Sequence, residues 1–285
     1  MLFRSEKGND GAVKMLLERE DINPNQADTA SGLTPLLWAI RKGHGVVVKM
    51  LLEREDVNPN QADTASGWTP LSWASEKGHD GVVKMLLDRE DINPNQADTA
   101  SGRMPLSWAA GCGHQGVVKM LLERKDVNPN QADTQYGATP LSWASEEGHD
   151  GVIKILLERE DINPNLADTA SGRTPLLCAS ENGHDKVVKM LLEREDINPN
   201  QADTKSGKTP LFWAAENGNE GVVKMLLQRK DIRIATPDNK GQTPLSLALS
   251  QGNDGIVKTI LDWNSPSSDT ADPGGQTSLP PSTGH

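Results

Sequence analysis

The sequence predicts an all-α solenoid, in which similar helix pairs stack side by side in a single row. A repeat is the first reason, because a proline recurs every 35 residues, and once after 34, at Pro35, Pro70, Pro105, Pro140, Pro175, Pro210 and Pro244. The second reason is that each copy holds two short stretches with helical patterning, followed by turn-forming residues. The third is that one helix pair cannot bury its own apolar side chains, whereas stacked copies cover each other.

The first helix of each unit is marked at both ends, as the copy that begins at Thr69 illustrates. The Thr69 hydroxyl is suited to cap free backbone N–H groups, and Pro70 takes the first helical position, where its missing N–H costs nothing. Leu71 and Ala74 fall on one side of the helix together with other small residues, which lets a neighbouring helix approach closely. Gly78 is predicted to end the helix in a conformation that other residues adopt at a cost.

A second helix follows, and then a loop. Asp80 near the start of this helix suits its dipole, and Lys84 and Asp88 share its polar face at helical spacing. The opposite face is apolar and consists of Val82, Val83, Met85, Leu86 and Leu87. Residues 93–102 are rich in Asn, Pro, Asp, Ser and Gly, so we expect them to return the chain as an extended loop or short hairpin, called a finger below.

These units divide the whole chain. Residues 1–33 are predicted to be a truncated repeat, whose apolar Leu2, Phe3 and Leu16 imply either a longer chain or a missing neighbour. Seven stacked repeats follow over residues 34–263, and the last of them, which is more polar, is predicted to be a C-terminal cap. Their predicted bounds are 34–68, 69–103, 104–138, 139–173, 174–208, 209–242 and 243–263. Residues 264–285 are rich in Ser, Pro, Gly and Thr and are predicted to be disordered.

The repeated unit resembles a known family. The run Gly67-Trp68-Thr69-Pro70-Leu71 and the later Ala74, Gly78-His79, Val82-Val83 and Leu86-Leu87 are similar to the ankyrin repeat, over roughly residues 1–263. The Ser-Trp-Ala and Asp-Ile-Asn-Pro-Asn motifs further resemble those of ankyrin arrays of filamentous fungi. Such arrays are often the repeat segment of larger NACHT/STAND-type signalling proteins with a nucleotide-binding switch domain. The resemblance therefore implies a protein–protein interaction role.

The chain departs from the ankyrin pattern in two respects. The family's Thr-Pro-Leu-His run ends in a His whose side chain ties neighbouring loops together. Here that position holds Leu37, Ser72, Ser107, Ser142, Leu177, Phe212 and Ser246, which predicts a weaker tie between units. The 35-residue period also exceeds the family's period of about 33 residues, which predicts a longer finger.

Composition limits the classes of partner. The net charge of −11 and the pI near 5.0 argue against a nucleic-acid partner, and no apolar run is long enough to suggest a membrane partner. Cys112 and Cys178 are the only cysteines, so a disulfide framework is excluded. No signal peptide is visible at the start of the sequence. We therefore expect a cytoplasmic protein, with the nucleus left open, that is monomeric as an isolated array.

The sequence offers no catalytic, cofactor or metal site. One histidine per unit recurs at His44, His79, His114, His149 and His184. Stacking places equivalent atoms ~10 Å apart, whereas a zinc ion needs ligands at ~2 Å, so these side chains are interpreted as a hydrogen-bonding scaffold. Cys112 and His114 lack a third, orienting group for nucleophilic catalysis. We predict a protein that is not an enzyme and has no cofactor.

A tryptophan column allows two interpretations. Its members are Trp38, Trp73, Trp108, Trp143 and Trp213, interrupted by Cys178 and Leu247. Indoles are common at binding hot spots, so the column is a possible ladder for a ligand. Because it hardly varies, and discrimination between ligands needs variation, a scaffold role that covers the seam between units is favoured.

The candidate binding site is taken from the positions that do vary. The residue after each finger glycine changes from unit to unit, as does a column in the first helix, and the third finger tip contains Tyr136. In a stack these positions line the concave surface that solenoids use for binding. The predicted partner-binding residues are Trp68, Arg103, Tyr136, Arg173, Lys208, Arg41, Glu76, Glu146 and Glu181. The alternative is neutral drift, for example with Arg103 and Glu146 neutralising each other.

The predicted function is a non-catalytic protein–protein interaction scaffold, with a partner docked across the second to fifth full units. Two alternatives remain open: a targeting or regulatory segment of a larger enzyme or nucleotide-switch protein, and a structural spacer. The third full unit is predicted to be the weakest, because Met104 lacks the capping hydroxyl and Gly111 stands where other units have Glu.

Overall fold

A computed structural model describes residues 10–19 and 21–264, so the predictions for Leu2, Phe3 and the tail 265–285 lie outside the described residues. These described residues form helices without any β-strand, which confirms the predicted all-α solenoid. The helices are α1 Asp10–Leu17, α2 Pro35–Lys42, α3 Gly45–Leu52, α4 Pro70–Lys77, α5 Asp80–Leu87, α6 Pro105–Gly111, α7 Gln115–Leu122, α8 Pro140–Glu146, α9 Asp150–Leu157, α10 Pro175–Asn182, α11 Asp185–Leu192, α12 Pro210–Glu216, α13 Glu220–Leu227, α14 Pro244–Gln251 and α15 Asp254–Asn264.

The helices that begin at the recurring prolines are the inner helices, and their ends have the expected chemistry. In α4 the Thr69 hydroxyl accepts a hydrogen bond from the Ser72 backbone N–H at 3.0 Å, and Pro70 follows it at the first position. Gly78 ends the helix with φ of 65°, a left-handed conformation that favours glycine. Local sequence therefore sets both ends of the helix.

The outer helices supply most of the larger apolar side chains. In α5 the side chains of Val83 and Leu86 are fully buried, while Lys84 on the other face is exposed. They meet the equally buried Leu71 and Ala74 of the inner helix. Full burial of each such Leu or Val contributes ~1.5–3 kcal/mol, and the stacked pairs make one continuous core along the array.

The inner helices pack on one another more extensively than the outer helices do, and the side of the array that they form is called the concave surface below. Each inner helix packs on the inner helix of the next unit, and each outer helix on the next outer helix. The inner contacts are the more extensive because Ala and Ser face each other there, for example Ala74 and Ser75, both fully buried. The inner helices and the fingers together form the concave surface.

Each finger is a tight turn stabilised by an aspartate. In the finger before α4, the Asp63 N–H donates to the Trp68 carbonyl at 3.0 Å, and the Asp63 carboxylate accepts the Ser66 N–H at 2.6 Å. Glycine is required at the end of the turn, because Gly102 has φ of 71° and an added Cβ would lie 2.0 Å from the Thr134 hydroxyl of the next finger. The fingers are thus closely stacked.

Several sets of hydrogen bonds join neighbouring units, and three of them lie in the fingers and the loops after the outer helices. The Asn60 side chain donates to the Asp91 carbonyl at 2.7 Å and accepts the Asn93 N–H at 2.7 Å. The Arg89 guanidinium reaches back to the Leu52 carbonyl at 3.0 Å. Finger backbones pair across the seam, as from Thr99 N–H to Ser66 O at 3.0 Å. These contacts recur along the array, and the weaker tie between units stays a prediction.

The third full unit has the predicted capping defect. Met104 precedes α6 without a capping hydrogen bond from its side chain, and it is buried with 5% of its surface exposed. In two other units the cap threonine also contacts the serine three residues later, with Thr69 Oγ1 2.9 Å from Ser72 Oγ and Thr139 Oγ1 3.0 Å from Ser142 Oγ. Ser107 has no such neighbour, and its buried hydroxyl lacks a hydrogen-bond partner among the described residues.

Candidate functional site

The tryptophans of the inner helices are fixed to the fingers. The indole N–H of Trp73 donates to the Asp63 carboxylate at 3.2 Å, and that of Trp143 to Asp133 at 3.0 Å. Trp38, Trp108 and Trp213 make the same bond to the aspartate ten residues earlier, at 2.8, 3.1 and 3.0 Å. The rings are half-buried, so each indole braces its finger and still presents part of its surface to the groove. The column is both a scaffold and the floor of the candidate site.

Hydrogen bonds to the finger aspartates also affect their ionisation. Burial by itself would raise the pKa of Asp63, but the Ser66 backbone, the Ser66 hydroxyl and the Trp73 indole stabilise the carboxylate and hold its pKa below the ordinary value. The pKa of Asp203 is lowered for the same reasons by Ser206 and Trp213. The finger turns are therefore built around charged aspartates.

Trp68 lies within a cluster of three indoles. Its ring is centred 4.6 Å from that of Trp73 on the following inner helix and 4.3 Å from that of Trp108 one unit further on. The rings are tilted by 53° and 46°, a geometry that favours contact between ring edges and faces. Trp68 is half-buried and joins two units on the concave surface.

Arg103 continues the row by one unit. Its guanidinium carbon lies 4.6 Å from the ring centre of Trp108 and 3.3 Å from that of Trp143, so the cation is held by two indoles. Burial lowers its pKa, although the carboxylates of Asp133 and Asp98 act in the opposite direction. No ion pair between Arg103 and a carboxylate occurs in the described part of the chain, and its Nε is buried without a hydrogen-bond partner.

Two further predicted residues extend this arrangement. The Arg41 guanidinium lies 5.5 Å from the Trp73 ring centre, and the Tyr136 ring lies 5.9 Å from that of Trp143 in an edge-on contact. Tyr136 remains 42% exposed. The resulting aromatic–cationic row consists of Trp38, Arg41, Trp73, Trp68, Trp108, Arg103, Trp143 and Tyr136.

The later units carry ion pairs in place of this row. Arg173 pairs with Glu181, and Lys208 pairs with Glu216 while its ammonium lies 4.3 Å from the Trp213 ring centre. Burial alone would lower the pKa of Arg173, but the negative groups around it, Glu181 among them, raise it. Burial raises the pKa of Glu181, which Arg173 opposes. Along the concave surface, the earlier units thus present the aromatic–cationic row, whereas the later units present cations that are paired with carboxylates of the chain.

The two remaining predicted residues, Glu76 and Glu146, are not part of the aromatic–cationic row. Glu76 pairs with the adjacent Lys77 at 3.1 Å, and Glu146 is half-buried beside the Arg173 region. Arg103 and Glu146, the pair offered as mutual neutralisation under the drift alternative, form no ion pair in the described residues. That part of the alternative is wrong, because Arg103 stacks on Trp143 and Glu146 lies nearer to Arg173.

Three of the five histidines in the column, His114, His149 and His184, make the hydrogen bonds predicted for it. Nε2 of His114 lies 3.0 Å from the Glu76 carbonyl, and Nε2 of His149 lies 3.0 Å from the Gly111 carbonyl of the preceding unit. Asn219 replaces the histidine and donates to the Ser180 carbonyl at 2.9 Å. These side chains, and His184 with Nε2 2.9 Å from the Glu146 carbonyl, satisfy carbonyls at the ends of inner helices, whereas the buried Nε2 of His44 has no hydrogen-bond partner among the described residues. Within residues 10–19 and 21–264, no group of three or more His, Cys, Asp or Glu is placed to hold a metal ion.

Neither cysteine is placed for catalysis. Cys112 lies at the end of α6 and part of its surface is exposed. Partial burial nevertheless raises the pKa of its thiol, so the thiol is not activated. Cys178 takes the tryptophan position in the fifth full unit, where burial raises the pKa of its thiol to about 12. Among the helices that the structure describes, none combines the length and hydrophobicity needed to cross a bilayer.

The pairing between the two variable columns was missed by the sequence analysis. A finger residue meets the inner-helix residue eight positions later, as in Arg173–Glu181 and Lys208–Glu216. The signal was present as a constant eight-residue offset between the columns. The tryptophans, for which a scaffold role was favoured over a ladder for a ligand, also contact the predicted site residues Trp68, Arg103 and Lys208.

Comparison with known proteins agrees with this architecture. A family model described as "Ankyrin repeats (3 copies)" matches residues 2–98, 91–168, 156–238 and 198–273. Together these matches span nearly the whole chain. No curated protein matches the sequence.

Proposed function

The chain belongs to the ankyrin-repeat family, whose repeats generally mediate protein–protein interactions, and we propose that it is a non-catalytic scaffold that binds a protein partner on its concave surface. The partner docks across the second to fifth full units, with Trp68 at the border of the first and second units, Arg103 and Tyr136 next, and Arg173 at the border of the fourth and fifth.

The aromatic–cationic row is the observation that carries this proposal. It places Trp, Tyr and Arg, the residue types most common at binding hot spots, side by side on one surface. The rings are already held by hydrogen bonds to the finger aspartates, so little side-chain freedom is lost when a partner binds. Outer helices lack such a cluster among the described residues, and their exposed faces carry Lys and Glu.

Substitutions on the two faces of the array test the proposed surface. A partner is first isolated by pull-down with the intact chain, and its affinity is then measured for Trp68→Ala and Arg103→Ala. Each variant is expected to weaken binding by about tenfold or more, since truncated hot-spot residues cost ~2 kcal/mol or more. Binding is measured by titration calorimetry, with the thermal midpoint of each variant recorded to identify any loss of folding.

Matched control variants lie on the outer helices. Lys84 in α5 and Lys119 in α7 are exposed on the opposite face, so Lys84→Ala and Lys119→Ala are expected to leave the affinity nearly unchanged. If the outer-helix variants weaken binding as much as the concave ones, the proposed surface is wrong.

A role as the targeting or regulatory segment of a larger enzyme or nucleotide-switch protein stays a prediction from the resemblance of the sequence to fungal arrays. A spacer without a fixed ligand is the other alternative. The aromatic–cationic row favours binding over a spacer, because a spacer has no need of half-buried Trp and Arg on one surface.

A further inference from the structure

The eight-residue pairing shows how this array neutralises a cation on its concave surface. In two units a basic residue ends the finger, and the inner helix that follows supplies its carboxylate: Glu181 for Arg173 and Glu216 for Lys208. Arg103 occupies the same position as these two cations. The residue eight positions after it is Gly111, which has no side chain.

The environment of Arg103 leaves its charge available. The guanidinium lies against the faces of Trp108 and Trp143, and stacking of this kind uses the plane of the group rather than its N–H edge. Its N–H groups make no hydrogen bond to another described residue. The Asp133 and Asp98 carboxylates attract this charge without forming an ion pair with it, so a carboxylate that reaches the guanidinium gains a strong, charge-assisted bond.

The backbone at Gly111 leaves room for such a group. A Cβ added at Gly111 would lie 3.4 Å from the Trp143 Cβ, which is an ordinary contact. Gly111 itself is half-buried, so part of its surface faces solvent. A carboxylate supplied from outside the chain is therefore able to take the place that Glu181 takes beside Arg173.

We propose that Arg103 and Gly111 form the acceptor for an acidic side chain of the protein partner, with Trp68, Trp108 and Trp143 receiving an apolar side chain next to it. This inference rests on the proposed function and names the chemistry that the partner contributes: an Asp or Glu beside an apolar residue. The net charge of −11 disfavours a phosphate polymer as the occupant, because one local cation does not overcome repulsion from the whole chain.

The first test supplies the carboxylate within the chain. Gly111→Glu restores the arrangement seen at Arg173–Glu181, and Gly111→Gln provides the same bulk without the charge. We expect Gly111→Glu to have the higher thermal midpoint of the two, and this difference to disappear when both are combined with Arg103→Met. An equal midpoint for the two variants, or a difference that persists without Arg103, overturns the proposed acceptor.

The second test supplies the carboxylate from outside. Peptides that bind the intact chain are selected from a display library. The C-terminus of each peptide is fused to the display carrier, so that the only carboxylates of the peptide are those of Asp and Glu side chains. Selected peptides are expected to contain an acidic residue beside an apolar one. Replacement of that residue by its amide is expected to weaken binding to the native chain by about tenfold, and to have little effect on binding to Gly111→Glu.

The outcomes separate this inference from the proposed function. Peptides that lose affinity for Trp68→Ala, but bind Gly111→Glu and Gly111→Gln equally, support a concave binding surface and overturn the acidic acceptor. Peptides that are insensitive to Trp68→Ala, or that respond equally to Lys84→Ala on the outer face, contradict the concave surface and the acceptor together. A selection that yields no peptide sensitive to Trp68→Ala likewise contradicts both the concave surface and the acceptor.

Discussion

At the residue scale, Met104 shows how a single side chain weakens one unit in two ways. It removes the hydroxyl that caps the inner helix in the other full units. It also leaves the buried Ser107 hydroxyl without the partner that Thr69 gives Ser72. In partial compensation, Met104 buries nearly all of its apolar side chain. The balance of these effects decides the stability of the third full unit.

We predict that Met104→Thr raises the thermal midpoint. The new cap contributes ~1 kcal/mol, and a partner for Ser107 removes a penalty of ~1–3 kcal/mol. The lost apolar burial costs ~1.5 kcal/mol, so the net gain is expected to be ~1 kcal/mol. Circular dichroism during heating measures the midpoint, and adding Gly111→Glu, which removes a helical glycine, is expected to raise it further.

Met104→Val is the matched control, because valine has the shape of threonine without the hydroxyl. It is expected to lower the midpoint, since it loses apolar burial and supplies neither hydrogen bond. A midpoint for Met104→Thr at or below that of Met104→Val would show that the capping explanation is wrong.

At the scale of the element, the finger turns at Asp63 and Asp203 are each built around an ionised aspartate. The Asp63 carboxylate accepts bonds from the Ser66 backbone, the Ser66 hydroxyl and the Trp73 indole. All of these groups donate, so a protonated Asp63 would lose acceptor capacity and the finger would loosen from its helix. The same arrangement recurs at Asp203.

We predict that stability falls on acidification. The pKa of Asp63 and that of Asp203 are lower in the folded chain than the ordinary value of 3.8, so the unfolded chain binds protons more tightly. Their contribution is therefore complete above about pH 5 and is lost as the pH falls through the lowered values. Urea midpoints measured from neutral pH to about pH 3 report this loss.

Asp63→Asn is the control for the acid response, since the amide keeps the shape and cannot take up a proton in this range. We expect it to be less stable at neutral pH and to show a shallower decline with acid than the native chain. An equally steep decline would place the acid sensitivity elsewhere, for example in the exposed pair Arg89–Asp91.

At the scale of the whole molecule, stability is distributed along one dimension. Outer helix α5 packs against α3 and α7 on either side and against α4 beneath it. Among the helices that the structure describes, α1 in contrast packs chiefly against α3, and Met15 within it is 66% exposed. In such an array each unit is stabilised mainly by its nearest neighbours, so a unit with fewer neighbours opens more easily.

We predict that residues 10–17 exchange their amide hydrogens faster than residues 82–87. The expected difference follows from the smaller number of packed neighbours around α1. Hydrogen exchange followed by mass spectrometry measures both segments in one experiment, so each serves as the other's control. Equal protection in the two helices would contradict the nearest-neighbour explanation.

Much of this architecture was determined by the sequence itself. The threonine and proline that begin each inner helix, the glycine that ends it and the apolar face of each outer helix are local signals. Each acts within a few residues, and repetition every 35 residues multiplies the signal, so the solenoid was predictable without coordinates. The fingers were predicted only as loops or hairpins, and the bond from the Trp73 indole to the Asp63 carboxylate was not predicted, because it joins a finger to a separate helix.

The chemistry of the concave surface was decided by the tertiary structure. Whether the tryptophans brace the scaffold or line the groove depended on their rings meeting both the finger aspartates and side chains of other units, such as Trp68 and Arg103. The Arg103 side chain contacts Trp143 of the next unit and forms no ion pair with Glu146, and this contact likewise depends on how the units stack. Contacts between units are set by packing distances and side-chain directions, which sequence spacing alone does not specify.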